Sequence, residues 1–187
     1  MEIVSTALAE VKIITPRRFG DERGFFSESY SRRAMEAAGL TIDFVQDNES
    51  LSQQAGTLRG LHYQAPPFAQ AKLVRVVRGA ILDVAVDARA GSPDYGKWIK
   101  AEISADNGAQ ILVPRGFLHG FVTLVPDTHV LYKTDNFYSA ECDGGVAWDD
   151  PDIGIDWGTQ DVMLSDKDQV QPRFADWTSP FEYGAEL

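Results

Sequence analysis

The sequence is poor in the residues from which many sites are built. Its 187 residues include one cysteine and three histidines. A lone Cys142 excludes any internal disulfide, and so few histidines leave little material for a metal centre. Basic residues are scarce as well: 17 Lys and Arg stand against 28 Asp and Glu, for a formal net charge of -11. Nucleic-acid binding draws much of its affinity from clustered Lys and Arg meeting phosphates, so the balance argues against that class of partner. An anionic small ligand fits only if the few cations converge in one cleft and focus the field there.

Long apolar runs are missing too. No stretch approaches the roughly 20 apolar residues of a membrane span, and the opening MEIVSTALAEVKII has neither the basic start nor the unbroken apolar run of a signal peptide. A cytoplasmic protein with no membrane partner is expected. GxGxxG after a first strand, GxxxxGK[ST], GxSxG and HExxH are all absent, which removes the common reasons for proposing a cofactor or one of those chemistries.

What is present is an ordinary globular composition, 44% hydrophobic and 24% charged, of a length that suits one domain over 1–187. Only one helix stands out: Ser29 or Ser31 caps SRRAMEAAG, and Gly39 stops it. Val- and Ile-rich runs then follow closely. LVRVVRGAILDVAVDAR alternates around a turn at Gly79, and WIKAEIS, AQILVP, GFLHGFVTLV and HVLYKTDNFY come at short intervals. Turn clusters such as SADNG and ECDGG separate them at spacings typical of a sandwich or barrel. An all-β fold with short peripheral helices is expected, its polar last stretch from about Trp157 wrapping the outside or a cavity mouth.

The histidines divide into two kinds. His129 lies by a turn after Pro126 and Asp127 and reads as a surface or packing residue. His62 and His119 sit in aromatic, glycine-containing segments, LHYQ and PRGFLHGF. PRGFLHG resembles the second motif of the cupin jelly rolls. Metal-binding cupins take a His-x-His pair and a Glu from their first motif, and here only His62 is found there, followed by Tyr63 and Gln64. No metal is therefore expected. Proton transfer is the other reading, because Tyr132 in LYKTDNFY offers a phenol and Lys72 opens a core strand, where a lysine calls for a partner or a task. Arg59 and His62 pose a question of faces. Three residues apart, they fall on opposite sides of a regular strand, so sharing a site requires a twist or bulge at Gly60, or an edge position from which Arg59 reaches round.

Several segments together carry a wider resemblance. FGDERGFFSESY (19 to 30), FVQDNES (44 to 50), LRGLHYQ (58 to 64), AQAKLVRVVRGAILDVAVDAR (69 to 89), PRGFLHGFVTL (114 to 124), LYKTDNFYS (131 to 139) and LSDKDQ (164 to 169) resemble, in order and nearly without gaps, the dTDP-4-dehydrorhamnose 3,5-epimerase family. The resemblance implies a cofactor-free, homodimeric cupin jelly roll. It implies a reaction as well: inversion of C3 and C5 of a dTDP-4-keto-6-deoxyhexose on the way to dTDP-L-rhamnose. It makes His62 the base, Tyr132 the acid on the opposite face, Asp168 the partner that holds the imidazole tautomer, and Lys72 the cation at the C4 oxygen. Arg23, Arg59 and Lys167 match positions that bind the diphosphate or line its approach. Glu28, Gln46, Asp47, Asn48, His119 and Asp143 match other ligand positions, and Tyr138 and the aromatics of FFSESY are placed to stack on thymine. The Arg23 to Glu28 segment is implied to reach the neighbouring subunit's site. Asp143 departs from the pattern, standing where some relatives carry Glu. Three rival readings stand beside this one: an epimerase acting on a single carbon, a non-catalytic nucleotide-sugar-binding jelly roll, and a metal-dependent cupin oxygenase.

Overall fold

The computed structural model describes residues 1–185. Six strands form one sheet, in the order β1 (Glu2–Ser5), β2 (Lys12–Thr15), β10 (Gln110–Val113), β7 (Lys72–Arg78), β12 (Thr128–Thr134) and β5 (Gln46–Ser52). Five form a second: β13 (Asp143–Gly145), β6 (Leu58–Gln64), β11 (Phe117–Thr123), β8 (Ala80–Asp87) and β9 (Trp98–Ser104). Neighbouring strands in both pair antiparallel. From β7 onward the chain passes repeatedly between the two sheets, which makes the β-sandwich a jelly roll of the cupin type; the strand runs pointed to a sandwich or barrel, and the family resemblance implied the cupin form.

Three apolar layers hold it together. Between the sheets, Val74, Val76, Ile111 and Val130 of the first meet Ile81, Ala85, Ile103, Phe117 and Phe121 of the second. The outer face of the second sheet presents Leu58, Leu61, Val84, Val86, Leu118 and Val122 to the C-terminal stretch, whose Ile153, Trp157 and Phe181 cover it. This cover explains the near-continuous apolar run of β8: with both faces buried, solvent imposes no alternation. Each fully buried Val, Leu, Ile or Phe side chain contributes about 1.5–3 kcal/mol.

The third layer lies outside the first sheet, where Met35 of α1 (Arg32–Ala37) packs with Ile14, Leu73 and Leu112. Of the two candidate caps, Ser31 is the one used, its Oγ accepting from Ala34 N at 3.4 Å. Gly39, at φ +80°, ends the helix, while Leu40 N donates back to Met35 O at 2.9 Å. A separate hairpin joins β3 (Arg18–Asp21) to β4 (Gly24–Ser27) and leaves Phe25 and Phe26 62% and 70% exposed. Among the described residues no helix is long and apolar enough to cross a membrane.

Candidate active site

The strand alternation of each sheet decides which side chains face inward, and the polar ones that do so gather at one end of the sandwich. A cavity of about 460 Å³ opens there, lined by His62, Arg59 and His119 from the second sheet, Lys72 and Tyr132 from the first, and Lys167 and Asp168 from the C-terminal stretch. Base and acid candidates thus stand on opposite walls.

How Arg59 joins His62 is visible in the β6–β11 register. His62 pairs with His119 and Arg59 with Phe121, so three steps along β6 match two along β11. The extra residue is a β-bulge, and it turns Arg59 back to the side of His62. Gly60 makes it possible: its φ is +148°, and a Cβ there would lie 2.6 Å from Gly120 Cα. Gly120 returns the favour, since its own Cβ would meet Arg59 O at 3.0 Å. Only two facing glycines let these backbones approach so closely. Arg59 is held loosely, with Nε and Nη2 each 3.5 Å from Ser52 Oγ.

His62 is oriented from α2 (Asp166–Gln169). Ser165 caps this short helix, its Oγ accepting from Asp168 N at 3.2 Å. Asp168 is thereby buried against the imidazole, and His62 Nε2 donates to Asp168 Oδ1 at 2.5 Å. With Nε2–H committed, Nδ1 is left as the basic nitrogen of the ring. Burial works to raise the Asp168 carboxyl, but the bond and charge of His62, with Ser165 and Lys167, hold it below the usual carboxylate range.

On the opposite wall, burial pushes the Tyr132 phenol up, against the charge of Arg59 and with that of Asp143. Lys72 is the most perturbed cation. Burial lowers it to about 8, while Asp143 and Asp83 act to keep it charged and Lys167 opposes them. Asp83 was not foreseen from the sequence. It points inward from β8, fully buried, and accepts from His119 Nε2 at 2.9 Å. Burial raises its pKa, with His119 and Lys72 opposing. Its one signal was a carboxylate in the apolar run ILDVAVD.

The remaining expected residues fall in three places. At the cavity mouth Lys167 pairs with Asp143, which also accepts from Tyr138 Oη at 3.3 Å. Gln46 Oε1 accepts from Tyr138 N at 3.2 Å, and its Nε2 donates to Asn48 Oδ1 at 2.9 Å, linking β5 to this rim. Asp47, by contrast, points away from the cavity. It alternates to the outer face of the first sheet, pairs with Lys133 at 2.8 Å, and with Asn48 lines a second cavity of about 290 Å³. The run QDN therefore spans two faces. Arg23 and Glu28 are not brought to the His62 cavity within this chain. Arg23, its side chain 89% exposed, pairs with Asp21 at the hairpin tip, and Glu28 is exposed just beyond β4. Among the described residues no group of three or more His, Cys, Asp and Glu is arranged to hold a metal ion.

Proton donors and acceptors facing one another across the interior of a jelly roll define the class, a cupin-type isomerase. Residues 5–176 match the family model described as dTDP-4-dehydrorhamnose 3,5-epimerase, and the chain belongs to that family. The enzyme of that name from Sinorhizobium fredii (strain NBRC 101917 / NGR234) is 54% identical over 184 residues, covering 98% of this chain and 94% of the relative. Among solved structures, the dTDP-6-deoxy-D-glucose-3,5-epimerase of Legionella pneumophila Philadelphia 1, in complex with dTDP-4-keto-L-rhamnose, superposes with a TM-score of 0.93 at 42% identity, covering 98% of this chain and 99% of that one. The dTDP-4-dehydrorhamnose 3,5-epimerase of Bacillus anthracis str. Ames, with TDP and PPi bound, gives a TM-score of 0.90 at 50% identity, with 92% and 98% covered.

Proposed function

We propose that the chain inverts C3 and C5 of dTDP-4-dehydro-6-deoxy-D-glucose through enolates, giving dTDP-4-dehydro-L-rhamnose for dTDP-L-rhamnose synthesis. One observation carries the reading: His62 and Tyr132 face each other from different sheets of one cavity. Epimerisation removes a proton from one face of a carbon and returns one to the other, so base and acid must stand on opposite sides of the ring.

In this reading His62 Nδ1 takes the proton beside the C4 ketone, and Asp168 stabilises the imidazolium that forms. The enolate's charge develops on the C4 oxygen, where the Lys72 ammonium offsets it in a water-poor site. Tyr132, which burial keeps protonated, delivers a proton from the far wall. Arg59 and Lys167 flank the same cavity and suit the diphosphate, the guanidinium by bidentate bonding. No cofactor takes part in these steps. Residues 1–187 act as one epimerase domain.

The working unit is a homodimer. Arg23 and Glu28 sit on an exposed hairpin arm away from their own chain's His62 cavity, and Phe25 and Phe26 stand exposed beside them. An arm that presents phenylalanines to solvent suits a second copy of the chain, whose cavity it would complete.

The test is solvent exchange. In D2O the wild type is expected to place deuterium at both C3 and C5, and His62→Ala to lose the exchange by at least about 10²–10⁴-fold. Tyr132→Phe is expected to retain washout of the substrate proton while losing inverted product. No label in wild-type product would refute the reading, and label at one carbon would assign the chain to single-carbon epimerisation instead.

A further inference from the structure

Gln64 lies two residues beyond His62 on β6 and takes no part in proton transfer. It is nevertheless buried, 5% exposed, and its amide ties the loop that follows β6 to the loop that follows β12. Nε2 donates to Phe68 O and, at 2.9 Å, to Phe137 O, while Oε1 accepts from Ser139 N at 2.8 Å. The residue between the last two partners is Tyr138. Its own N–H is taken by Gln46 Oε1 at 3.2 Å, and its ring stands 60% exposed with Oη 3.3 Å from Asp143 Oδ2.

Two glutamines thus pin the two peptide units that flank Tyr138, and the ring between them is offered to solvent rather than packed. An exposed tyrosine on an unsupported loop pays rotational and backbone entropy when a ligand stacks on it; on a clamped loop that cost is met during folding. We propose that Gln64 is a positioning residue for the nucleobase, fixing the Tyr138 ring so that one strand supplies both the His62 base and the support of the thymine platform. This rests on the reading of Tyr138 as the stacking residue for a dTDP-sugar. It makes β6 the ruler between the two halves of the ligand: His62 sets where the sugar reacts, and Gln64 sets where the base lies.

The experiment measures dTDP binding by calorimetry, and kcat and KM for the dTDP-sugar, in Gln64→Met, Tyr138→Ala and the double variant. Met keeps the length and volume of the side chain and removes every polar atom. Gln64→Met is expected to raise the Kd of dTDP and the KM of the substrate on the order of tenfold, a loss of about 1.4 kcal/mol, with kcat falling less than KM rises. In the Tyr138→Ala background the same substitution is expected to have almost no effect on dTDP affinity, because the ring it positions is gone. Gln64→Glu keeps the acceptor toward Ser139 but turns an oxygen on Phe68 O and Phe137 O, and is expected to bind dTDP at least as weakly as the Met variant; Gln64→Leu serves if the Met variant is unstable. An equal loss with and without Tyr138 would overturn the proposal, as would a loss confined to kcat with dTDP affinity intact. Wild type that binds dTDP with this Gln64 dependence yet does not epimerise would refute the proposed reaction and leave the Gln64 inference standing. Wild type with no affinity for dTDP would overturn both.

Discussion

In the proposed reaction Lys72 has to be charged to offset an enolate, and its surroundings work against that charge. Desolvation brings its pKa from 10.5 to about 8, even with Asp83 and Asp143 acting to keep the proton. The fall of kcat/KM on the alkaline side is therefore expected near pH 8, as the ammonium is lost. Tyr132 is not its source, since burial raises that phenol above its ordinary range. Lys72→Arg is expected to be slower, because a planar guanidinium fits a single oxygen less well, and to carry its alkaline fall well above that of wild type. Stability should run the other way. Between about 8 and 10.5 the unfolded chain still holds the Lys72 proton that the folded chain has released, so this group's contribution rises with pH. A pH–rate profile measured beside melting temperatures separates the two; a parallel fall in both would assign the lost activity to unfolding. Single residues also show where sequence reading stopped. Lys72 was conspicuous as a lysine entering a core strand, whereas Asp83 passed as one letter in an apolar run, because its partner His119 lies 36 residues away.

At the scale of elements, the bulge in β6 is what brings Arg59 and His62, the proposed phosphate anchor and base, to one face. Gly60→Ala would set a Cβ 2.6 Å from Gly120 Cα, at a φ of +148° that side chains rarely adopt. The variant is expected to lose about 1–3 kcal/mol of stability, read by denaturant unfolding, and to lose more of kcat/KM than of melting temperature as Arg59 leaves the face of His62. A variant as stable and active as wild type would show that the bulge is not required. Glycine in LRGLHYQ announced an irregularity, yet its register was not legible, because that depends on which residues of β11 lie opposite. The hairpin was less legible still. Residues 18–21 are exposed on both faces and 24–27 nearly so, so RFGD and GFFS lack the apolar alternation by which strands are recognised. Alternation also explains Asp47: neighbours in a strand take opposite faces, and a ligand run read as one block, QDN, is divided by the pleat.

For the whole molecule, the proposed dimer makes a quantitative expectation. If each cavity takes His62 from one chain and Arg23 from the other, His62→Ala and Arg23→Ala chains are each inactive alone. Mixed after dissociation, they form hybrids in which one cavity of two is complete. Random reassortment makes about half of the dimers hybrid, so about a quarter of wild-type activity is expected to return. Failure to recover activity, with hybrids demonstrated by mass, would refute the shared cavity. Phe26→Asp is expected to weaken the dimer and activity together, read by sedimentation and turnover.

The chemistry proposed for this protein lies largely in its residue types, because an imidazole, a phenol, a lysine ammonium and two further cations suit proton transfer on a phosphorylated carbonyl compound wherever they meet. Strand periodicity likewise follows from local sequence, since a side chain's face is set by the pleat within a few residues. That the groups do meet is a matter of long-range packing. His62 and Asp168 are 106 residues apart, and the opposed walls of the cavity come from two sheets whose separation is set by the core between them. The bulge that aligns Arg59 and the clamp on Tyr138 depend likewise on register and burial, which no segment carries alone.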